Sequence, residues 1–411
     1  MLGENKQNLH DPYASLRYKE FRFFIWAKML LTIALQMQAV IVSWLIYDKT
    51  HDPLSLGLIG LAEAIPAISL SLYGGHIADR MSRKSIILYT TLLMLAASVF
   101  LVFFVEGYFG TSVSIAYLVI FIIGVARGFY YPAQSAFWAQ LVPKDNYVNS
   151  STWNSTVWQL GAVAGPAFGG LCYAWFGATI SSIIVCGLIL ISIVYYYIIS
   201  HKPVAEFKPT ETLKESLLSG IKFVFKNNIL LGALSLDLFA VLFGGAVALL
   251  PIFADKILHV GPEGLGFLRA SPAVGAVIMA MIMAYFPPRK DAGIKLMWCV
   301  AGFGCCMIAF ALSQSYYLSL FILFLSGAFD NVSVVIRSTI LQSFTPDEMR
   351  GRVASVNNIF VGSSNEIGAF ESGAAAKLVG LVPSVVMGGA LTLLVVIITY
   401  KLSPALRKLQ F

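Results

Sequence analysis

The chain has 411 residues, of which 58% are hydrophobic and only 12% charged, with a mean hydropathy of +0.78. Soluble globular domains have about a quarter of their residues charged, so composition excludes that class and indicates a polytopic membrane protein, which the helix-length apolar spans that follow make all-α. The net charge of +7 does not point to a nucleic-acid partner, because the basic residues are dispersed between apolar runs instead of forming a stripe.

In chain order, a polar tail carrying Lys6, Arg17, Lys19 and Arg22 leads into a first apolar span at roughly 22–47, long enough for the ~20 residues a helix needs to cross. No small-residue cleavage site is evident, so the N-terminus is expected to stay in the cytoplasm. Gln36 and Gln38 interrupt this span. An amide facing lipid is unfavourable, so at least one is expected to face a cavity or a neighbouring helix. The second span runs from Asp52-Pro53 to Gly75 and contains Glu63 and Pro66. An ionisable group inside a span is a functional candidate by default, here as proton carrier or substrate contact, with a structural pair as the alternative. Pro66 is expected to kink the helix, because it leaves one carbonyl without its donor.

The segment Gly75-His76-Ile77-Ala78-Asp79-Arg80-Met81-Ser82-Arg83-Lys84 is polar between two long apolar runs, and its basic residues assign it to the cytoplasmic side. Its pattern G-x-x-x-D-R-x-x-R-K resembles the loop signature between the second and third helices of major facilitator superfamily transporters. Ser82 stands where that signature more often has Gly. Gly75, Asp79, Arg80, Arg83 and Lys84 are therefore candidate gating residues. Asp79 is expected to face the positive N-terminal end of the eleventh helix, and Arg80 and Arg83 to pair with acids such as Asp347 and Glu348, forming a latch in one state only.

A third span (roughly 85–105) and a fourth (roughly 113–140) follow, the latter with Gly124-Val125-Ala126-Arg127-Gly128. Arg127 lies too far from either end to snorkel and must face protein or water. The resemblance implies a role in proton coupling, since family members often carry an Arg in this helix. In the fifth span Gly161, Gly165 and Gly169 recur every fourth residue, which gives one helix face on which a neighbouring backbone can approach closely. The surrounding Gly165-Pro166-Ala167-Phe168-Gly169-Gly170 resembles the antiporter signature of the superfamily's exporter branches, which implies that this surface is the moving seal between halves. After a sixth span (roughly 178–199), His201 to Asn228 is the longest polar segment. There Leu213, Leu217, Leu218, Ile221 and Phe225 recur at helical spacing, the pattern of an amphipathic helix at the membrane surface or of a solvated connector with one apolar stripe. The expected organisation is an N-terminal bundle (1–200), a cytoplasmic linker (201–228) and a C-terminal bundle (229–411).

Six further spans lie at roughly 229–254, 263–286, 292–312, 316–343, 349–376 and 381–402, with Asp237, Arg269, Asp330, Glu366 and Glu371 inside them and Arg337 near the end of its helix. Thr345-Pro346-Asp347-Glu348 reads as a capping box with Pro at the first helical position. An offset of 203 residues aligns Asn154 with Asn357, Gly165 with Gly368, Gly170 with Gly373 and Gly177 with Gly380. Such an internal repeat is what two parallel six-helix halves leave in a sequence. Of the 28 Lys and Arg, Lys49, Lys256 and Lys377 fall on the predicted outer side, Arg127, Arg269 and Arg337 fall within spans, and the remaining 22 fall on the side of the termini. This asymmetry places both termini in the cytoplasm.

The chain is thus identified by resemblance as a major facilitator protein, which implies twelve transmembrane helices in two pseudo-symmetric six-helix bundles. Leu213-Lys214-Glu215-Ser216-Leu217-Leu218-Ser219-Gly220, and Leu341-Gln342-Ser343-Phe344-Thr345-Pro346-Asp347 with Gly351-Arg352, are similar to the drug and siderophore branch of enterobactin-exporter type. The resemblance implies alternating access in the cell (inner) membrane with proton antiport, and a monomer whose partners are a small-molecule substrate, protons and the bilayer. Candidate proton-coupling residues are Glu63, Arg127, Asp237, Asp330 and Glu366; candidate cavity residues are Gln36, Gln134, Trp158, Gln159, Asn331 and Arg337. The repeat makes Arg127 and Asp330 pseudo-equivalent, so they are expected at one depth as a charge pair for which proton and cargo compete, unless Asp330 is paired within its own half or solvated by cavity water. No cofactor is expected: the five cysteines and five histidines have no metal-ligand spacing, and Walker A, H-E-x-x-H and G-x-S-x-G patterns are absent, which argues against a pump or a hydrolase. Export of an amphipathic drug-like or siderophore-like molecule is the first reading. A lipid, lysolipid or metal-ion transporter of the same fold is the second. A scaffold or receptor is a distant third, since it would not need several buried charges.

Overall fold

The structure, a computed structural model, describes residues 11–108, 110, 112–202, 213–286, 291–346 and 349–409. Among these the regular structure is helical. Five helices precede the linker: α1 (Lys19–Thr50), α2 (Pro53–Arg80), α3 (Arg83–Val105), α4 (Ser114–Phe137) and α5 (Tyr147–Ile198). α6 (Leu213–Lys226) lies in the linker. It is followed by α7 (Asn228–Phe243), α8 (Leu250–Lys256), α9 (Pro262–Tyr285), α10 (Ala292–Leu312), α11 (Tyr316–Ser343), α12 (Arg350–Val379), α13 (Leu381–Leu402) and α14 (Pro404–Arg407). Helices prevail because hydrocarbon offers no partner to backbone N–H and C=O groups, which must therefore be satisfied within the segment. Local signals set the ends. Pro53 and Pro262 sit in the first turns of α2 and α9, where a missing N–H costs nothing, and the Asn227 side chain accepts from the N–H of Ile229 at 3.0 Å and of Leu230 at 3.2 Å to cap α7.

Ten helical stretches among the described residues are long and apolar enough to cross a membrane, against an expectation of twelve. Two features account for the difference. The 52-residue α5 is broken at Gly177, whose φ of 74° and ψ of 179° interrupt the helix, so it holds both the fifth and the sixth spans. The 30-residue α12 has the length, ~45 Å at 1.5 Å per residue, but Asn357, Asn365, Glu366 and Glu371 keep its apolarity low. The seventh crossing is also irregular: the stretch Asn228–Lys256 joins α7 to α8 across a non-helical break at Gly244-Gly245.

The repeat is visible in the backbone. Gly177 and Gly380, aligned by sequence, both take positive φ (74° and 98°) between consecutive helices, a conformation that disfavours side chains. Within the N-terminal half, α1 packs on α5, α2 on α4, and α3 on α4 and α5. In the C-terminal half α9 packs on α11, α10 on α11 and α13, and α7 on α12 and α13. Between halves α2 meets α12 and α5 meets α9. Both contacts are made at the end away from the termini through paired glycines. A Cβ on Gly373 would lie 2.9 Å from the Gly57 Cα, and one on Gly170 would lie 2.8 Å from the Gly266 Cα. At the same end the Tyr47 hydroxyl donates to Asp255 at 2.6 Å, and Lys377 lies 3.2 Å from Asp52. Towards the termini, Gly75 of α2 and Gly362 of α12 have nothing within 4 Å of a built Cβ.

The linker helix α6 buries Val224 against Leu234, Val353 and Val356 and leaves Leu218, Ile221 and Phe225 exposed on another face. The exposed part of the expected apolar stripe is therefore present. The side chains of Leu213 and Leu217, and residues 203–212, lie outside the described residues.

Candidate transport cavity

The site begins with a missing side chain. Gly124 of α4 lies against the Glu63 carbonyl and the Pro66 ring, whose Cγ would be 2.7 Å from a Cβ at that position. This close approach, at a residue where only hydrogen fits, brings Arg127 one turn further on into an ion pair with Glu63. The other half repeats the arrangement. Gly327, equivalent to Gly124 at the same offset, has backbone of Pro272 where its Cβ would be, with the Pro272 Cα at 2.6 Å, and three residues later Asp330 faces the same space. Glu366 of α12 crosses the divide: its Oε2 would lie 3.1 Å from a Cβ on Gly60 of α2, and Arg127 and Arg269 are the cations that act on it electrostatically. The cavity has a volume of about 430 Å³, and its lining includes Gln36, Glu63, Arg127, Arg269, Asp330 and Glu366. Five ionisable groups from both halves thus share one space in which the low dielectric makes every charge consequential.

The model of the transmembrane secretion effector family, a major facilitator group, matches residues 10–409. The chain belongs to this family. The enterobactin exporter EntS of Shigella flexneri is 25% identical over 343 residues, covering 81% of this chain and 79% of the relative. A crystal structure of a mutant of the nucleoside transporter NupG superposes with a TM-score of 0.76 at 13% identity, over 93% of this chain and 99% of that one. A bacterial homologue of the human lysosomal transporter Spinster gives a TM-score of 0.69 at 15% identity, over 95% of this chain and 96% of that one. The protein is accordingly a multi-pass transporter of small molecules with the major facilitator fold and not an enzyme, as its sequence resemblance implied.

Within this transporter the expected residues scatter over several sites. Gln36 lines the cavity, while Gln38 accepts from the Ser98 hydroxyl at 3.0 Å, so each amide avoids lipid in its own way. The anticipated Arg127–Asp330 pair is not formed. Arg127 is held by Glu63 in its own half, because the α2–α4 contact at Gly124 puts that carboxylate nearer, and Asp330 has no ion pair or hydrogen bond among the described residues. Asp237 and Arg337, assigned separately to coupling and to cargo, form a buried ion pair with each other between α7 and α11 outside the central cavity. Gln134 is buried 3.5 Å from the Asn154 side chain. Trp158 and Gln159 do not line the cavity; Gln159 donates to Ser155 at 3.3 Å. Asn331 is also absent from the lining, and its side-chain oxygen is buried without a partner.

The glycines divide by partner. Gly161, Gly165 and Gly169 pack on Thr32, Gln36 and Met37 of α1 in the same half, so they are not at the seal. Gly170 and the Pro166 carbonyl meet Gly266 across the halves. In the loop, Arg83 donates to the carbonyls of Ala78 and Ala136 (3.4 and 3.1 Å), and Lys84 to that of Tyr197 at 2.8 Å. Arg80 is exposed; the Asp79 side chain, Asp347 and Glu348 lie outside the described residues.

Two features were passed over in the sequence. Arg269 was recognised as an intramembrane charge but not placed in the site. Lys28, counted among the cations that set topology, is 9% exposed and donates to the Asn154 carbonyl at 3.1 Å and to its side-chain oxygen at 2.5 Å. Its signal was a charge well inside an apolar span. The far-end seal also had a signal: Pro53 to Gly57 and Pro262 to Gly266 are both P-x-x-L-G.

Proposed function

We propose that this transporter exports an amphipathic organic molecule in exchange for protons. Its two halves, 1–200 and 229–411, rock about the linker 201–228, with both termini in the cytoplasm. The observation that carries this reading is the cavity itself: ionisable side chains of both halves converge on one space that is shut at one end by paired glycines. In that orientation the closed end is the outer one. Glu63, Asp330 and Glu366 are the acids able to hold a proton there, and Arg127 and Arg269 are the cations that answer a change in their charge. Kinship with a siderophore exporter supports the export direction.

The test is uptake into proteoliposomes with an imposed pH gradient across a panel of dyes, siderophores and lipids. Accumulation of at least one compound that reverses sign with the gradient and collapses with a protonophore is expected. Equal accumulation with and without the gradient refutes proton coupling.

A further inference from the structure

The halves differ where the first span of each packs along the last. In the N-terminal half this seam is filled with rings: Phe23 of α1 meets Tyr195 of α5 with centroids 6.0 Å apart, Phe24 meets Tyr196 at 6.2 Å, and Tyr196 is fully buried. At the offset of 203, Tyr195 and Tyr196 become Ile398 and Thr399 of α13, and α7 brings Gly232 to the same place. Those two rings are gone, and a groove of about 590 Å³ lies between α7 and α13. It runs from Asn228 and Ser403 to Phe243 and Leu391, a length of about 20 Å at 1.5 Å per residue. That is the depth of one leaflet with its headgroups, half of ~40–45 Å. The lining is graded along this length. Phe239, Phe243 and Leu394 wall the inner part, whereas Asn228, Thr399 and Ser403 gather at the end near the termini. There the exposed Lys226 and Lys401 stand two residues from Asn228 and Ser403, and the exposed Lys222 one turn before Lys226. Neither 222–236 nor 391–410 contains an Asp or Glu, so both walls are basic at the polar end.

We infer that this groove binds an anionic phospholipid from the leaflet on the side of the termini, with one acyl chain between α7 and α13 and the phosphate at Asn228 and Ser403, flanked by Lys226 and Lys401. Within hydrocarbon an acyl chain and a side chain are equally apolar, so the groove holds a chain by shape and packing. The headgroup is selected by charge, because cations at the membrane surface attract anionic lipid. Amide and hydroxyl groups at the polar end can donate to phosphate oxygens. The occupant is thus matched at both ends of one leaflet, and it takes the place that Tyr195 and Tyr196 fill in the other half. The inference is independent of the cargo and of its coupling.

Native mass spectrometry of the purified full chain, titrated with dioleoylphosphatidylglycerol or dioleoylphosphatidylcholine, reads the number and affinity of retained lipids. The wild type should retain one phosphatidylglycerol about thirtyfold more tightly than phosphatidylcholine, the worth of two surface cations. Lys226→Gln with Lys401→Gln should erase that preference and leave phosphatidylcholine binding unchanged, which also shows that the variant is folded. Lys19→Gln with Arg22→Gln removes the same charge beside the filled seam, where Lys19 lies over the Phe23 ring, and should keep the preference. Ser235→Leu, which enlarges a side chain lining the groove, should weaken both lipids alike. A preference that survives the Lys226 and Lys401 changes, or that falls equally with the Lys19 and Arg22 changes, overturns the inference. Unchanged lipid binding in Ser235→Leu puts the lipid elsewhere and overturns it, as does glycerol 3-phosphate bound as tightly as the lipid. A chain that retains no phosphatidylglycerol but dimerises until Ser235→Leu separates it gives the groove to a second copy, which also overturns the inference.

Discussion

Gly373→Ala should open the far end of the transporter. In the structure, a Cβ on Gly373 would lie 2.7 Å from the Pro53 carbonyl oxygen and 2.9 Å from both N and Cα of Gly57. All three are backbone atoms, so no side chain can swing aside. Ordinary contact begins near 3.4 Å, and relieving the closest clash requires α12 to retreat from α2 by about 0.7 Å. Overpacking of this kind costs about 1–3 kcal/mol. Only the state closed at the far end makes the contact, so the cost becomes a shift of about 5–150-fold between states. Ser43 lines the cavity; in a cysteine-free background, Ser43→Cys reports access by its labelling rate with an impermeant thiol reagent added from the far side. Gly170→Ala, the pseudo-symmetric change, should act in the same direction. Gly187→Ala is the control, because nothing lies within 4 Å of its Cβ position. Equal labelling of Gly373→Ala and Gly187→Ala, with both proteins folded, refutes the seal.

Three further outcomes follow from the packing. Arg127 and Glu63 have side chains only 17% and 22% exposed, so Arg127→Gln or Glu63→Gln alone should cost up to about 3–5 kcal/mol by leaving one charge unpaired. The double variant should recover part of that loss in a detergent melt, and strictly additive losses contradict the pairing. For Asp237 and Arg337, 8% and 7% exposed, Asp237→Asn should lower the melting midpoint while transport per folded molecule persists; selective loss of transport would return the pair to the mechanism. Gly165→Leu places a Cβ 2.5 Å from that of Gln36, so it should weaken the α1–α5 contact without changing Ser43→Cys access, whereas a changed access ratio would put Gly165 at the seal.

The helices and the repeat were legible because each rests on local rules: apolar runs of bilayer length, and glycines at fixed spacing. Gly177 and Gly380 were aligned by register alone, and both occupy a positive-φ break between consecutive helices. The charged residues were legible by type but not by partner. Helical spacing gives a residue's face and depth, yet which helix lies opposite is a long-range outcome, and Arg127 answers to Glu63 because Gly124 admits α2. The same gap misassigned the 161/165/169 stripe, whose period promises a close neighbour without saying that the neighbour is α1. Lys28 was hidden by a counting rule, which assigned it to topology although it lies inside the span and makes a buried bond to Asn154.

The central claim is that proton and cargo exchange through one shared cavity, and proton flux measured during cargo movement tests it most directly. Proteoliposomes loaded with a pH-sensitive dye and given a cargo gradient but no pH gradient should show protons moving against the cargo, and Asp330→Asn should abolish that proton movement. Cargo that crosses with no proton movement in the wild type contradicts the account.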